Sequence, residues 1–283
     1  MDKKITITCQ MTLSPKCKKT HEMWKGDFIR NKARNNNIYK CSACARYKQA
    51  LDGLGQKSLN KNMQYFENID TELKAYMLGI IAGDGSMYSS HFRVVAHELD
   101  VETLRIFQTE ISPGSKIIKY KNIKCHYIDI PSIKLSLDIC NILKIQPGKK
   151  SDIISLPDFN EKLTWHFIRG LMDSDGSILD IRTSSRSFPV CSYASKSEII
   201  KNQIKKMCDD INISYTCDKI SIIFNGINAI KFMNKLYDGS TISLSRKKAL
   251  YDMAKTWIPQ KGSLFRPRKT RKDIGIKRGQ NIC

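Results

Sequence analysis

The chain has 283 residues, 41% of them hydrophobic, and its 48 Lys and Arg against 27 Asp and Glu give a formal net charge of +21. This hydrophobic content is ordinary for a globular protein, so a wholly disordered chain is excluded, and the length has room for two or three small domains. The charge points to a polyanionic partner.

Most of the excess charge lies at the two ends of the chain. Residues 1–60 hold 13 Lys and Arg against 4 Asp and Glu, and residues 255–283 hold 9 against 1. The middle of the chain holds 26 against 22. The two ends therefore supply +17 of the +21, and we expect them to add to nucleic-acid binding.

The cysteines and the apolar segments favour an intracellular protein. Six of the ten cysteines are scattered without the spacing of a disulfide framework, which favours a reducing compartment. The N-terminus lacks the apolar segment of a secretion signal, and no later apolar run approaches the length needed to cross a bilayer. We therefore expect no membrane partner, and the sequence does not distinguish cytoplasm, nucleus and organelle.

The N-terminal segment predicts a small metal-binding module. Cys41 and Cys44 have the two-residue gap with which two thiolates bind one metal ion, and Cys9 and Cys17 supply a second pair. The gap between Cys9 and Cys17 is wider than usual, so His21 is an alternative to one of them. A segment with so few apolar residues needs a staple to fold. We expect a structural zinc, and four unrelated free thiols are the alternative.

Two apolar stretches, Met77–Gly85 and Ile168–Gly176, share one pattern and start 91 residues apart. Each has Gly at its third position, a small residue at its seventh, and Asp-Gly at its end. Residues four apart lie on one helix face, and a face of small residues lets two helices approach backbone to backbone. We predict a tightly packed helix pair that brings Asp84 and Asp175 together. Two close carboxylates repel each other unless a cation lies between them, which outlines a magnesium site.

The two copies also show which acid is repeated. The sixth position is Asp173 in one stretch and Ala82 in the other, so an acid is not needed there twice, and Asp173 is left out of the catalytic set. Taken alone, each Asp-Gly is equally well explained as a helix stop. The matching positions of the two copies favour the metal site.

These stretches resemble the motif of the LAGLIDADG homing endonucleases, whose family name spells it. The resemblance covers roughly residues 70–257 and departs from the motif at the opening pair of each copy. It implies a monomer with two similar halves, each laying a saddle of strands on double-stranded DNA. It also implies that Mg²⁺ is held by Asp84 and Asp175, together with the backbone carbonyls of Gly83 and Ser174.

The family further places a lysine near the scissile phosphate, in the basic loop that closes each half. Lys150 and Lys247 are the expected residues, and their neighbours Lys149 and Lys248 are alternatives. A cation there stabilises negative charge that develops on the phosphate, or orders the attacking water. Ordinary solvated lysines remain the other explanation.

The stretch after each motif predicts the same order of elements. In the first half we predict strand 92–96, a helix near 100–111, strands 116–121 and 125–130, and a helix near 133–144. In the second we predict strands 177–183 and 188–195, a helix after a capping box at 195–198, strands 213–217 and 220–224, and a helix near 227–237. This duplication predicts an α+β fold of two pseudo-symmetric αββαββα halves packed through the motif helices.

In each predicted half the helices cover one face of a four-stranded sheet and leave the other bare. A bare face with alternating polar residues can lie in the major groove and read base edges. The polar strand positions are the candidate base-reading residues Arg93, Tyr127, Asp129, Arg182, Ser185, Arg186 and Tyr193. For any one of them, a solvated strand face is an equally good explanation.

The sequence divides into a Cys-rich module, a linker, two motif-bearing halves and a basic C-terminal arm, at residues 1–50, 51–69, 70–160, 161–257 and 258–283. The arm has few core-forming residues, so it is expected to follow phosphates or enter the minor groove. Its candidate DNA-binding residues are Arg266, Arg268, Lys269, Arg271 and Lys272. A disordered solubilising tail is the alternative.

Together these patterns predict a site-specific, metal-dependent endonuclease that hydrolyses both strands of a long pseudo-palindromic DNA site as a monomer. One alternative keeps the fold and replaces the DNA by intron RNA, as in a maturase. The other is a DNA-binding regulator without catalysis. Both acids and both basic loops are retained, which argues against the regulator because pure binding does not favour carboxylates beside phosphate.

Overall fold

The computed structural model describes residues 3–51, 61–148, 150–184 and 187–259, and it begins with a small α/β unit. The unit consists of an antiparallel hairpin and two helices, β1 (Lys4–Thr8), β2 (Thr20–Trp24), α1 (Lys25–Arg34) and α2 (Ser42–Leu51). Its buried apolar core is limited to Tyr39 and three cysteines, Cys9, Cys41 and Cys44. So small a core stabilises little by itself.

The first half is a four-stranded antiparallel sheet with helices on one face. Its strands lie in the order β3-β4-β6-β5. In chain order the elements are α3 (Glu72–Asp84), β3 (Gly85–Met87), β4 (Phe92–His97), a 3-10 turn (Glu98–Asp100), α4 (Val101–Ile111), β5 (Ile117–Lys119), β6 (Cys125–Ile130) and α5 (Ile133–Leu143).

The second half repeats this arrangement, with strand order β7-β8-β10-β9. Its elements are α6 (Glu161–Asp175), β7 (Gly176–Ile178), β8 (Val190–Ala194), α7 (Glu198–Asp210), β9 (Thr216–Cys217), β10 (Ser221–Asn225) and α8 (Ile227–Tyr237), and a further helix α9 (Ser245–Lys255) follows. The predicted α+β class with two αββαββα halves is confirmed. No helix among the described residues has the length and hydrophobicity to span a membrane.

Several element boundaries differ from the prediction. The strand expected over 177–183 ends at Ile178, because the Asp180 side chain accepts from the Arg182 backbone N–H and turns the chain. The strand expected over 213–217 shortens to its last two residues. The basic stretch after Leu244, expected as a loop, is the first turn of α9. Strand β3 was not predicted, because three residues are too few for a periodic pattern.

Helices α3 and α6 pack backbone to backbone through their glycines. A Cβ on Gly79 would overlap the Phe167 carbonyl and lie 2.9 Å from the Gly170 Cα, and a Cβ on Gly83 would overlap the Ser174 side chain. The contact between Gly79 and Gly170 is repeated four residues later on both helices, between Gly83 and Ser174, so the helices run parallel. Their C-terminal ends therefore meet at the same place.

We expect Gly79→Ala to lower the free energy of unfolding by about 2–3 kcal/mol, because the added methyl group cannot be accommodated without separating two backbones. Urea unfolding followed by circular dichroism measures the change. The control is Asn202→Ala on the exposed face of α7, which we expect to change stability by less than about 0.5 kcal/mol. Equal stability of both variants would mean that the two helices do not touch at Gly79.

Candidate active site

The parallel helices place Asp84 and Asp175 at the same end of the helix pair. A Cβ on Gly83 would lie 2.9 Å from Oδ2 of Asp175, so this carboxylate faces the last turn of the opposite helix. Each acid is followed at once by a Gly that begins a strand, and both acids lie partly exposed at the base of the helix pair, where the surrounding protein removes part of their hydration. The sequence therefore correctly predicts that the two acids lie close together.

Two cavities lie at this end of the helix pair, and each is built from both halves. The Asp175 cavity has a volume of about 320 Å³ and is lined by Gly83 and Lys150 of the first half and by Lys196 of the second. The Asp84 cavity has a volume of about 250 Å³ and is lined by strands β4 and β6 of the first half and by Ser174 and Arg246 of the second. Each motif acid thus lies beside the motif helix of the other half.

Lys150 is buried against the end of α3, where the sequence predicts a catalytic lysine. Its Nζ donates hydrogen bonds to the carbonyl oxygens of Ala82 (2.5 Å) and Gly83 (2.9 Å). The last carbonyls of a helix have no intrahelical partner and carry partial negative charge, so they bind an ammonium group. The neighbouring Lys149 lies outside the described residues.

Lys247 takes the corresponding place at the end of α6. Its Nζ donates to the carbonyl oxygens of Met172 (2.6 Å), Asp173 (2.7 Å) and Gly176 (2.7 Å). Lys248, the alternative, instead pairs with Asp252 on the surface of α9. The choice of Lys247 over Lys248 therefore follows from which lysine reaches the motif helix.

Burial shifts the pKa values of these groups toward their neutral forms. Burial, and then the Asp175 carboxylate, raises the pKa of Asp84 to about 6. Burial also raises the pKa of Asp175, against the opposing effect of Lys150 and Lys247. Burial lowers the pKa of Lys247 to about 8. A cation bound between the acids would reverse their shifts.

The carboxylates and the helix-end carbonyls provide hard oxygen ligands, which suit Mg²⁺ or Ca²⁺ better than softer metals. Asp84 lines the same cavity as Ser174, and Asp175 lines the same cavity as Gly83. Each cavity therefore offers a divalent cation one motif carboxylate and one residue whose backbone carbonyl belongs to the expected set. Roles of these four residues as ligands remain a prediction.

Asp173, the acid present in only one motif copy, has a structural position. Its carboxylate is 1% exposed and accepts hydrogen bonds from Tyr76 Oη (2.9 Å), Tyr237 Oη (2.7 Å) and the Leu244 backbone N–H (2.8 Å). The three donors come from α3, α8 and the segment before α9. Asp173 thus joins the two halves, and a buried carboxylate needs such donors. Leaving it out of the catalytic set agrees with this position.

The four N-terminal cysteines form a cluster that could hold one metal ion. Their Sγ atoms lie within 4.8 Å of one another, and those of Cys41 and Cys17 are 3.8 Å apart. A tetrahedral zinc with bonds of about 2.3 Å separates its sulfurs by about 3.8 Å. The set is therefore Cys9, Cys17, Cys41 and Cys44, and His21 is not part of it.

Backbone groups around the cluster favour thiolates. Burial disfavours the charged form of Cys9, yet the backbone N–H groups of Cys41, Thr12 and Met11 lower its pKa to about 6. Burial raises the pKa of Cys41 to about 12. The Cys9 thiolate is therefore already favoured, and Cys41 needs the positive charge of a metal to ionise. This chemistry fits a structural zinc.

Three of the candidate base-reading residues lie on the open face of the first sheet. Arg93 on β4 and Asp129 on β6 are paired across the strands, with two hydrogen bonds of 2.7 and 2.8 Å. The Arg93 guanidinium also lies 4.3 Å from the ring centre of Tyr127. These contacts hold the side chains in place, so the face presents a fixed polar surface.

The other candidates are placed differently. Tyr193 is 2% exposed and faces the core of the second half with Ile222, so the expectation that it reads bases is wrong. A one-residue register error on a strand moves a side chain to the other face. Arg182 lies in the turn after β7 and pairs with Asp180. Outside the described residues lie Ser185, Arg186, Arg266, Arg268, Lys269, Arg271 and Lys272.

The sequence also misses two cavity residues, Arg246 and Asp100. The Arg246 guanidinium donates to both oxygens of Asp100, at 2.8 to 3.0 Å, and so connects α9 to the 3-10 turn of the first half. The two residues are 146 positions apart, and neither lies in a repeated motif. No local pattern indicates such a pair.

No family model matches the chain, and no curated protein matches it. Solved structures are similar to the chain at low identity, and three of them serve as examples. Full-length DUF199/WhiA from Thermatoga maritima has 14% identity over 71% of this chain and 68% of that chain, with a TM-score of 0.41. The meganuclease I-SmaMI bound to uncleaveable DNA has 12% identity over 66% of this chain and 89% of that chain, with a TM-score of 0.45. I-DmoI in complex with DNA and Ca has 19% identity over 64% of this chain and 97% of that chain, with a TM-score of 0.43.

Purified protein should contain about one zinc per chain, because the four thiols have the number and spacing of a closed tetrahedral site. Elemental analysis by mass spectrometry measures the content. Cys41→Ser should lose the zinc, whereas His21→Ala should retain it. Zinc-free protein after metal-replete expression would refute the site, and zinc loss in His21→Ala would restore histidine as a ligand.

Asp84→Asn should stabilise the protein in the absence of divalent cations at the active site. The folded pKa of Asp84, about 6, lies above its ordinary value of 3.8, so ionisation opposes folding as pH rises through this range. The gain should be about 1 kcal/mol at pH 7, reduced by solvent screening of an exposed side chain, and should vanish near pH 4. Urea unfolding of zinc-loaded protein measures it. The control Asp210→Asn should show no such pH-dependent gain.

Proposed function

We propose that the protein is a metal-dependent endonuclease that cuts both strands of a specific double-stranded DNA site. The observation that carries the proposal is that Asp84 and Asp175 meet at one end of a helix pair packed through glycine, with a lysine buried against each helix end. Carboxylates held together against their mutual repulsion indicate a cation site. Buried cations beside them suit a phosphate.

The two sheets supply the matching surface for DNA. Each half leaves one sheet face uncovered by its helices, and the open face of the first sheet carries the paired Arg93 and Asp129. Polar side chains fixed on a sheet can read base edges in the major groove. Because the halves are similar but not identical, we expect a target of two similar but unequal half-sites.

The chemistry assigned to the site is hydrolysis of one phosphodiester in each strand. Asp84 and Asp175 would each hold a divalent cation, one in each cavity. Such a cation, when bound, would supply activation of water and stabilisation of the leaving oxygen. The Lys150 ammonium group donates two hydrogen bonds to carbonyl oxygens at the end of α3. Because it lines the Asp175 cavity, its positive charge can stabilise a phosphate there. Arg246 is placed to do the same in the Asp84 cavity.

The N-terminal unit extends the basic surface. Residues 3–49 contain 12 Lys and Arg against two acids, Glu22 and Asp27, and Asp27 pairs with Arg30. Such an excess favours contact with phosphates and makes affinity fall with salt. We assign this unit, held by zinc, to DNA binding beside the two halves.

The test begins with a randomised duplex library incubated with the zinc-loaded protein and Mg²⁺, followed by sequencing of the cut ends to find the target. A supercoiled plasmid with that target should become linear with the wild-type protein. Asp84→Asn and Asp175→Asn should each abolish linear product, because each removes the acid of one cavity, while DNA affinity stays within a few-fold.

The matched control is Asp210→Asn on the exposed end of α7, which makes the same chemical change away from both cavities and should cut normally. Full double-strand cutting by either active-site variant would refute the assignment of the two acids. A wild-type protein that binds DNA but cuts no sequence in the library would refute endonuclease activity itself.

A further inference from the structure

The two cavities differ in charge although one motif builds both. The Asp84 cavity is lined by the carboxylates of Asp84 and Asp100 and by the guanidinium of Arg246, whereas the Asp173 carboxylate is buried against its own three donors. The Asp175 cavity is lined by a single carboxylate and by two ammonium groups, those of Lys150 and Lys196. With histidine neutral, the formal charge of these groups is therefore −1 in the first cavity and +1 in the second.

The backbone carbonyls that complete the two cavities also differ. The Lys150 ammonium donates directly to the Gly83 carbonyl, which lines the Asp175 cavity, at 2.9 Å. Lys247 donates to carbonyls on both sides of Ser174, those of Met172, Asp173 and Gly176. A cation beside Asp175 therefore competes with the Lys150 ammonium group for the Gly83 carbonyl. The three hydrogen bonds of Lys247 leave the Ser174 carbonyl to a cation beside Asp84.

The contacts that hold the halves together beside the two cavities also differ. At the Asp84 cavity the contact is ionic, between Arg246 and Asp100 at 2.8 Å. At the corresponding place beside the Asp175 cavity the contact is neutral, a hydrogen bond of 2.6 Å from Ser197 Oγ to the Ile154 carbonyl. The first contact adds an ion pair without net charge and the second adds a neutral pair, so the difference in charge comes from Lys150 and Lys196 in the Asp175 cavity.

The pKa shifts of the motif acids agree with this difference. The two buried lysines act on both acids and favour ionisation of each. Burial raises both pKa values, but Asp100 further raises that of Asp84 and has no counterpart among the groups that act on Asp175. The surroundings of Asp84 are thus the more negative of the two.

We propose that the two cavities fill in order, with a divalent cation occupying the Asp84 cavity at a concentration about tenfold lower than the Asp175 cavity requires. The reason is that the Asp84 carboxylate attracts a cation beside an ion pair without net charge, while the two ammonium groups of the other cavity repel a cation. This inference rests on the proposed function. Its consequence is that limiting Mg²⁺ yields a nick in one defined strand before both strands are cut.

Cation binding is measured without DNA, so that cleavage is not the readout. The full chain, with zinc already bound, is titrated with Mn²⁺, and free Mn²⁺ is followed by electron paramagnetic resonance. We expect two classes of site that differ by about tenfold in dissociation constant. Asp84→Asn should remove the tighter class, and Asp175→Asn should remove the weaker class.

A charge change in one cavity tests the cause of the difference. Lys196→Glu should tighten the weaker class several-fold and leave the tighter class nearly unchanged, because Lys196 lines only the Asp175 cavity among these two. The matched control is Lys206→Glu, the same change on the exposed face of α7, which should leave the ratio of the two constants unaltered.

Each result separates this inference from the proposed function. Two equal classes, each lost with one of the acids, would overturn the order of filling and leave the endonuclease proposal intact. A tighter class that depends on Asp175 would also overturn it. Mn²⁺ binding that neither Asn variant alters, or no binding at all, would overturn both the order of filling and the assignment of the acids as metal ligands.

Discussion

The close contact of α3 and α6 through Gly79 and Gly170 is the constraint on which the rest of the structure depends. Only residues without side chains let two helix backbones approach this far, and the contact advances in step along both helices. Their ends therefore coincide, and the acids that follow the small residues are brought together. Other contacts also join the halves, but this one brings the two motif acids to the same end of the helix pair.

Sharing has a chemical consequence, because each cavity joins the acid of one half to the motif helix of the other. Neither half by itself contains all the acidic and basic side chains that line a cavity. The buried lysines offset the charge of the acids and of the helix ends, which lets carboxylates accumulate where a folded protein would otherwise avoid them. The same arrangement leaves room for divergence, since a change in one half alters the cavity of the other.

Asp173 and Arg246 show how the duplicated halves have become unequal. Asp173 replaces the alanine of the other copy and is held by two tyrosines and a backbone N–H. Arg246 pairs with Asp100 across the halves, where the other side has a neutral hydrogen bond. These contacts stabilise the joint between the halves, and they also change the field around Asp84.

The sequence by itself determined the duplicated fold, the meeting of Asp84 and Asp175, and the pairing of Cys41 with Cys44, because each is encoded in local spacing or in a repeated pattern. Only the tertiary structure decided that Lys247 rather than Lys248 reaches the helix end, that Cys17 rather than His21 completes the cluster, and that Tyr193 is buried. It alone revealed the pair of Arg246 and Asp100. Such choices depend on which side of a helix or strand faces the core, and on partners more than a hundred residues away, and local sequence patterns contain neither.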